Sequence, residues 1–329
     1  MLTRRNFVTV AGLSLLAGST RRAVAQAYPT QPVRILVGYP AGGGVDIVAR
    51  LVADPMKEAL GQPVVVENRT GAAAMIAANA VAKAAPDGHT LLMAASGEVA
   101  INHSLYKERM TYDPAKELTP VAMIGIVPCV VVVAAGTPVH NPRELVAYAK
   151  ANPGKLSFSS SGVGNPQHLA GELMNSMAGI DVLHVPYRGS APAVTDVATG
   201  AVTMSFSSLA VALPLIQAGK IRAVAVTSLD KMPQLPDVEP LQSGSPGLKG
   251  YELLNWFGMF ATAGTPSAVV DRLNGIVGKV LTEPKTAQTL TVQGIVPRNM
   301  SAAQFQAFVA SDTKKFAAII DKAKIKLPN

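Results

Sequence analysis

Three consecutive glycines, Gly42-Gly43-Gly44, follow Pro40-Ala41 and precede Asp46 and Arg50. Upstream, Arg34-Ile35-Leu36-Val37 is apolar and β-branched; downstream, Ile47, Val48, Leu51, Val52 and Met56 recur at helical spacing. The glycines therefore lie where a strand becomes a helix. A helix start presents unpaired N–H groups and a partial positive charge, and glycine leaves no side chain to hold an anion away from them. The chemistry this spacing supports is capture of an anion by backbone amides. Asp46, in the first helical turn, is expected to bond those amides or interact with the helix dipole rather than act as a general base. A phosphate loop is excluded, because Val45-Asp46 stands where Gly-Lys-Ser/Thr is required. A dinucleotide fingerprint fits at Gly42 and Gly44 but finds Ile47 at the third glycine, and Glu67 alone keeps that alternative open.

The same logic recurs further on. Leu156-Ser157-Phe158-Ser159-Ser160 reads as a strand running into Ser161-Gly162-Val163-Gly164, and Asn165-Pro166-Gln167-His168 opens a helix with an asparagine cap and proline at its first position. The hydroxyls of Ser159, Ser160 and Ser161 add neutral donors. Two glycine-bearing helix starts in two halves of one chain argue for a ligand held between lobes. His168 and Glu172 are four apart and could both face a metal, but two ligands without a third read as a helix-surface pair. Neither G-x-S-x-G nor H-E-x-x-H occurs and the single cysteine has no partner, so neither an enzyme nor a cofactor is expected.

These loops need a scaffold, and the chain predicts one. Strands are expected at 64–67, 90–94, 121–126, 130–133, 184–188, 202–207 and 221–227, and the chain returns to apolar texture at 253–262. Helices are expected at 75–84, 141–151, 194–199, 213–218, 266–281 and 301–323, with Asn141 and Ser301 as caps. Pro55 should kink the far end of the first helix, and the Pro-, Ser- and Gly-rich stretch 229–249 reads as a linker or surface loop. The alternation is the α/β signature of a parallel or mixed sheet covered on both faces. About 300 residues suggest two lobes.

The first 25 residues read as an export signal rather than part of the fold. Thr3-Arg4-Arg5-Asn6-Phe7-Val8 resembles a twin-arginine motif, a mildly apolar run follows, and Ala23-Val24-Ala25 fits a cleavage site before Gln26. The formal charge of +8 includes Arg4, Arg5, Arg21 and Arg22 and no acid from this segment, so removing the four leaves +4. With no Lys/Arg block interleaved with aromatics, nucleic acid is not an expected partner; a mild positive excess suits an acidic small molecule. Cys129, in an apolar run, is expected to be a buried free thiol.

The chain resembles the Bug family, the substrate-binding receptors of tripartite tricarboxylate transporters. The resemblance rests on Pro40-Ala41-Gly42-Gly43-Gly44-Val45-Asp46 with Arg50, Gln62-Pro63-Val64-Val65-Val66-Glu67-Asn68-Arg69, Ala85-Pro86-Asp87-Gly88, Asn102 with Leu105-Tyr106, Gly162-Val163-Gly164 with His168-Leu169-Ala170-Gly171-Glu172, His184-Val185-Pro186-Tyr187-Arg188-Gly189, and Gly264-Thr265-Pro266. It implies an α/β, two-lobed type II periplasmic-binding-protein fold with a ligand cleft between lobes. Lobe 1 is expected to comprise 26–128 and 254–329, and lobe 2 to comprise 129–253. It also implies a monomeric periplasmic receptor that closes on a small mono-, di- or tricarboxylate and delivers it to two membrane subunits. One carboxylate is expected between loops 39–44 and 159–165. The candidate ligand-binding residues are Tyr39, Ala41, Gly42, Gly43, Gly44, Asp46, Ser96, Ser159, Ser160, Ser161, Gly162, Gly164, Asn165, His168, Arg188 and Ser207. A sensing partner of a signalling system with the same fold is the alternative. Two departures stand out: Gly71-Ala72-Ala73-Ala74 is alanine-rich where relatives carry more glycine, and Thr203 and Ser207 stand where many carry aspartate, favouring a ligand that is acidic without being cationic.

Overall fold

The computed structural model describes residues 28–325; the export motif, its cleavage site and the start at Gln26 lie outside them. Strand β1 (Val33–Val37) leads through the glycine turn into α1 (Gly44–Leu60), which runs through Pro55 and ends at Gly61 in the left-handed conformation. Next come β2 (Val64–Asn68), α2 (Met75–Ala82) and β3 (Thr90–Ala95), and β1 lies parallel between β2 and β3. Two four-residue helices, α3 (Asn102–Leu105) and α4 (Pro114–Glu117), precede β4 (Leu118–Ala134).

β4 corrects the expectation of separate strands at 121–126 and 130–133. It is one strand of 17 residues that belongs to two sheets. Its first part, through Pro128, pairs antiparallel with β9 (Leu254–Thr262), and from Cys129 onward it pairs with β7 (Met204–Ser208) and β8 (Ile221–Val226). Pro128 lacks a ladder donor, and it falls where one set of neighbours gives way to the other. The strand can therefore pass through it.

The second sheet is filled by α5 (Pro142–Ala151), β5 (Ser157–Ser160), α6 (Pro166–Ala178), β6 (Leu183–Pro186) and α7 (Ser190–Ala198), followed by β7, α8 (Leu209–Gln217) and β8. Asn141 caps α5 by accepting from the Glu144 amide, as its sequence predicts. The helices expected at 194–199 and 213–218 each begin four residues earlier. β9 returns the chain to the first sheet, and α9 (Ser267–Thr282), α10 (Pro284–Val292), β10 (Val296–Pro297) and α11 (Ala302–Lys322) complete it. α10 was not expected from the sequence. The first sheet runs β2-β1-β3-β9-β4 with β10 beyond β4, and the second runs β8-β4-β7-β5-β6.

α11 starts at a capping box between Ser301 and Gln304. It is seated by Trp256, whose indole N–H donates to Asp312 at 2.7 Å, and by Phe305, whose ring occupies the space a side chain at position 258 would need. Burial raises the Asp312 carboxyl to about 6, against the opposing bond from Trp256. One buried cluster runs from Leu92 and Phe260 of the first sheet to Phe158 and Phe206 of the second, so the lobes share apolar contact behind the cleft.

Candidate functional site

The starts of three helices meet at a cleft of about 540 Å³ between the lobes. From lobe 1 come Tyr39, Gly43 and Gly44 at the start of α1. The turn is held by Asp46, whose carboxylate accepts from the Gly42 amide at 2.9 Å, from Arg50 Nε at 3.0 Å and from Asn68 Nδ2 at 2.8 Å. Burial alone would raise this carboxyl; the bonds from Arg50, Gly42 and Asn68 prevail and hold it down at about 2. Asp46 thus does what the sequence predicts, bonding a free amide of the turn, and it is not among the residues that line the cleft.

From lobe 2 come Ser161, Gly162, Gly164 and Asn165 at the start of α6. Asn165 caps the helix by accepting from the His168 amide at 2.9 Å and donates to Ser161 Oγ at 2.6 Å. Gln167 accepts from the Ser161 amide at 2.8 Å and donates to Ser190 Oγ at 3.1 Å, which ties this loop to a third helix start, Gly189-Ser190 of α7.

The remaining candidates do not line the cleft. Ala41 and Gly42 sit on the exposed side of the first turn. Ser159 and Ser160 are fully buried: Ser159 Oγ donates to Ala193 O, and Ser160 Oγ bonds Gly162 O and His184 Nε2. Of the three serines expected as donors, only Ser161 lines the cleft. His168 is buried behind the loop and accepts the Gly164 N–H on Nδ1 at 3.0 Å, with its ring stacked 3.7 Å from that of His184. Burial, and then His168, lower His184 to about 3, so the stack is held by a neutral ring. Arg188 is exposed and outside the cleft wall, while Ser207 is buried and donates to Ser208 O. Ser96 acts one step removed, donating to Asn255 Oδ1 at 2.8 Å.

Several cleft residues were missed by sequence reasoning. Asn255 and Phe257 come from β9, an apolar strand with no local sign of a site. Asn255 Oδ1 also accepts the Trp256 amide at 2.9 Å, which fixes the carboxamide orientation, and no described residue accepts from its Nδ2. Asn102 and Tyr106 line the cleft too, and they stand in the motif that carried the family resemblance. Ala73 lines it in the middle of an unusual turn in which Ala72, Ala73 and Ala74 have φ of 47°, 52° and 68°. Each left-handed alanine costs about 1–2 kcal/mol, which gives a physical reason for glycine to be favoured in such a turn. Asn102 Nδ2 steadies it by donating to Ala73 O at 2.9 Å.

Two acids that the alternatives drew on have partners within the chain. Glu67, the acid that kept a dinucleotide possible, is paired with Arg34 at 2.6 Å and with Arg69 at 3.3 Å. His168 Nε2 lies 3.6 Å from Glu172, and no cluster of three or more metal-ligating side chains occurs among the described residues.

Glycine-rich helix starts from both sides of one cleft, on two sheets that share the strand β4, define a two-lobed solute receptor of the type II periplasmic-binding fold. Residues 48–325 match the tripartite tricarboxylate transporter family receptor, and the chain belongs to that family, whose members are periplasmic receptors rather than enzymes. It is 32% identical over 312 residues to Protein BugT of Bordetella pertussis, covering 94% of this chain and 95% of that one. It is similar to R. palustris Rpa4515 with adipate, with a TM-score of 0.80, 35% identity and coverage of 91% and 99%. It is also similar to MatC from Rhodopseudomonas palustris with bound malate, with a TM-score of 0.75, 29% identity and coverage of 89% and 100%.

Proposed function

We propose that this chain is a monomeric receptor that captures a small organic carboxylate in the periplasm and delivers it to two membrane subunits of a tripartite transporter. The observation that carries this reading is the convergence of the α1, α6 and α7 starts on a cleft with no acidic side chain in its wall among the described residues. Adipate and malate in the two similar structures support a carboxylate as the ligand. In this reading lobe 1 comprises 26–128 with 254–329 and lobe 2 comprises 129–253, and β4 and β9 form the hinge. Tyr39, Gly43, Gly44, Ser161, Gly162, Gly164 and Asn165 meet the ligand, with Asp46, Ser96 and His168 holding them in place.

Magnitudes explain why several helix starts are used. One contributes up to about 2 kcal/mol to a partly buried anion, whereas micromolar binding requires about 8 kcal/mol. Charge-assisted hydrogen bonds of about 1.5–3 kcal/mol each supply the difference once closure excludes water. A thermal-shift screen of mature protein against mono-, di- and tricarboxylates tests the reading. Stabilisation by at least one acid and by none of the matching amides is expected. Co-purification with the membrane subunits encoded beside its gene tests delivery.

A further inference from the structure

The wall of the cleft narrows the substrate class, in an inference that rests on the carboxylate reading above. No Lys, Arg, His, Asp or Glu lines the cleft among the described residues. Much of its polar side-chain capacity is already spent within the protein: Gln167 bonds at both ends, Asn165 takes the His168 amide and gives to Ser161, and Tyr39 gives its hydroxyl proton to Glu98. The amides of Gly43, Ser161, Gly162, Gly164 and Gly189 are spent as well, which leaves the Gly44 and Val45 amides at the α1 start, Asn255 Nδ2 and the Tyr106 hydroxyl among the donors for a ligand. Much of the remaining wall is apolar, from Val45, Val127, Cys129, Val163 and Phe257, with the ring of Tyr106 beside them. The Phe257 ring stands next to the α1 start, 3.3 Å from where a side chain at Gly44 would begin. A carboxylate held at that start therefore places the atoms next to it against an aromatic ring.

We propose that the receptor selects acids whose body beyond the carboxylate is apolar, an aromatic ring or an unbranched aliphatic chain, over hydroxylated and tricarboxylic acids. The neutral donors at the helix starts suit a terminal carboxylate. A hydroxyl on the part of the ligand beside Phe257 and the valines meets carbon, and burying it unpaired is costly. The extra carboxylates of a tricarboxylate give up hydration and find no cation in return. An aliphatic or aromatic body loses nothing polar and gains contact with Phe257 and the valines.

Calorimetry on the mature wild-type protein at pH 7 with benzoate, adipate, malate, citrate and benzamide tests this. The better of benzoate and adipate is expected to bind at least about tenfold more tightly than both malate and citrate, the ratio that one unpaired buried hydroxyl produces. A smaller ratio, or the reverse order, overturns the proposal and leaves the carboxylate reading intact. Binding of benzamide as tight as benzoate, or no binding of any of the four acids, overturns that reading and this inference with it. Tyr106→Arg places a cation on the half-buried part of the wall and should narrow the gap for citrate. An unchanged or wider gap in the folded variant overturns the role given to the missing charge.

Discussion

The Tyr39 hydroxyl, on the cleft wall, donates to Glu98 Oε2 at 2.7 Å, while the Ala95 amide donates to Oε1 at 2.9 Å. Glu98 is fully buried, so the segment leading into the first glycine turn is anchored to a carboxyl that water does not reach. Burial is the strongest influence and raises this carboxyl from 4.5 to about 7, against the bonds from Tyr39 and the backbone.

A pH dependence with a definite sign follows. The folded-state value lies above the unfolded one, so the contribution is fully present below about pH 4.5 and is lost as pH rises through about 7. Urea denaturation at steps between pH 4 and 8 should show a loss on the order of 3 kcal/mol attributable to this group. Glu98→Gln should flatten that part of the profile. An unchanged slope in the variant would assign the dependence to another group.

Asp46 works in the opposite sense. Its folded value, about 2, lies below the usual 3.8, so it stabilises the fold above about pH 4, and that contribution fades as pH falls towards 2. Asp46→Asn should cost about 2 kcal/mol at pH 7. The difference from wild type should shrink steadily in acid, as read by unfolding curves at pH 7, 5 and 3.

Gly43 and Gly164 respond differently to the same substitution. Gly43 has φ −75°, which valine tolerates, and the sole atom near an added Cβ is Pro40 O at 3.2 Å. Gly43→Val should keep the fold and weaken carboxylate binding by about tenfold or more, the loss of one charge-assisted bond. Gly164 has φ 78°, so valine there adds about 1–2 kcal/mol of backbone strain and lowers stability as well as affinity. Calorimetry beside a melting curve separates the two. Normal binding by folded Gly43→Val would place the carboxylate away from α1.

Cys129 lines the cleft, and burial pushes its thiol up to about 12, opposed by Thr227. Since the thiolate is the species that reacts, iodoacetamide at pH 8 should leave the folded protein unmodified and alkylate it fully in urea, as measured by intact mass. Rapid alkylation of the folded protein would contradict the buried placement.

The two glycine turns and the caps at Asn141, Asn165 and Ser301 were legible in the sequence because each is completed within a few residues by its own backbone. Asp46 was half legible: its bond to the Gly42 amide spans four residues, but its bond to Asn68 spans 22 and needs β1 and β2 side by side. Which of Ser159, Ser160 and Ser161 meets the cleft was decided by the pairing of β5 and the packing behind it, since three adjacent serines look alike until a sheet sets their faces. β4 hid behind Pro128, which reads as a break until its neighbours are known to change there. Asn255 reached the cleft because β9 lies antiparallel to β3, within reach of Ser96, 159 residues away in the chain. The sequence by itself determined the local glycine turns, because their partners are near neighbours along the chain. The part of the apolar wall made by Val127, Cys129 and Phe257 was decided by tertiary structure alone, because it is assembled by β4 and β9, which meet only after long-range pairing.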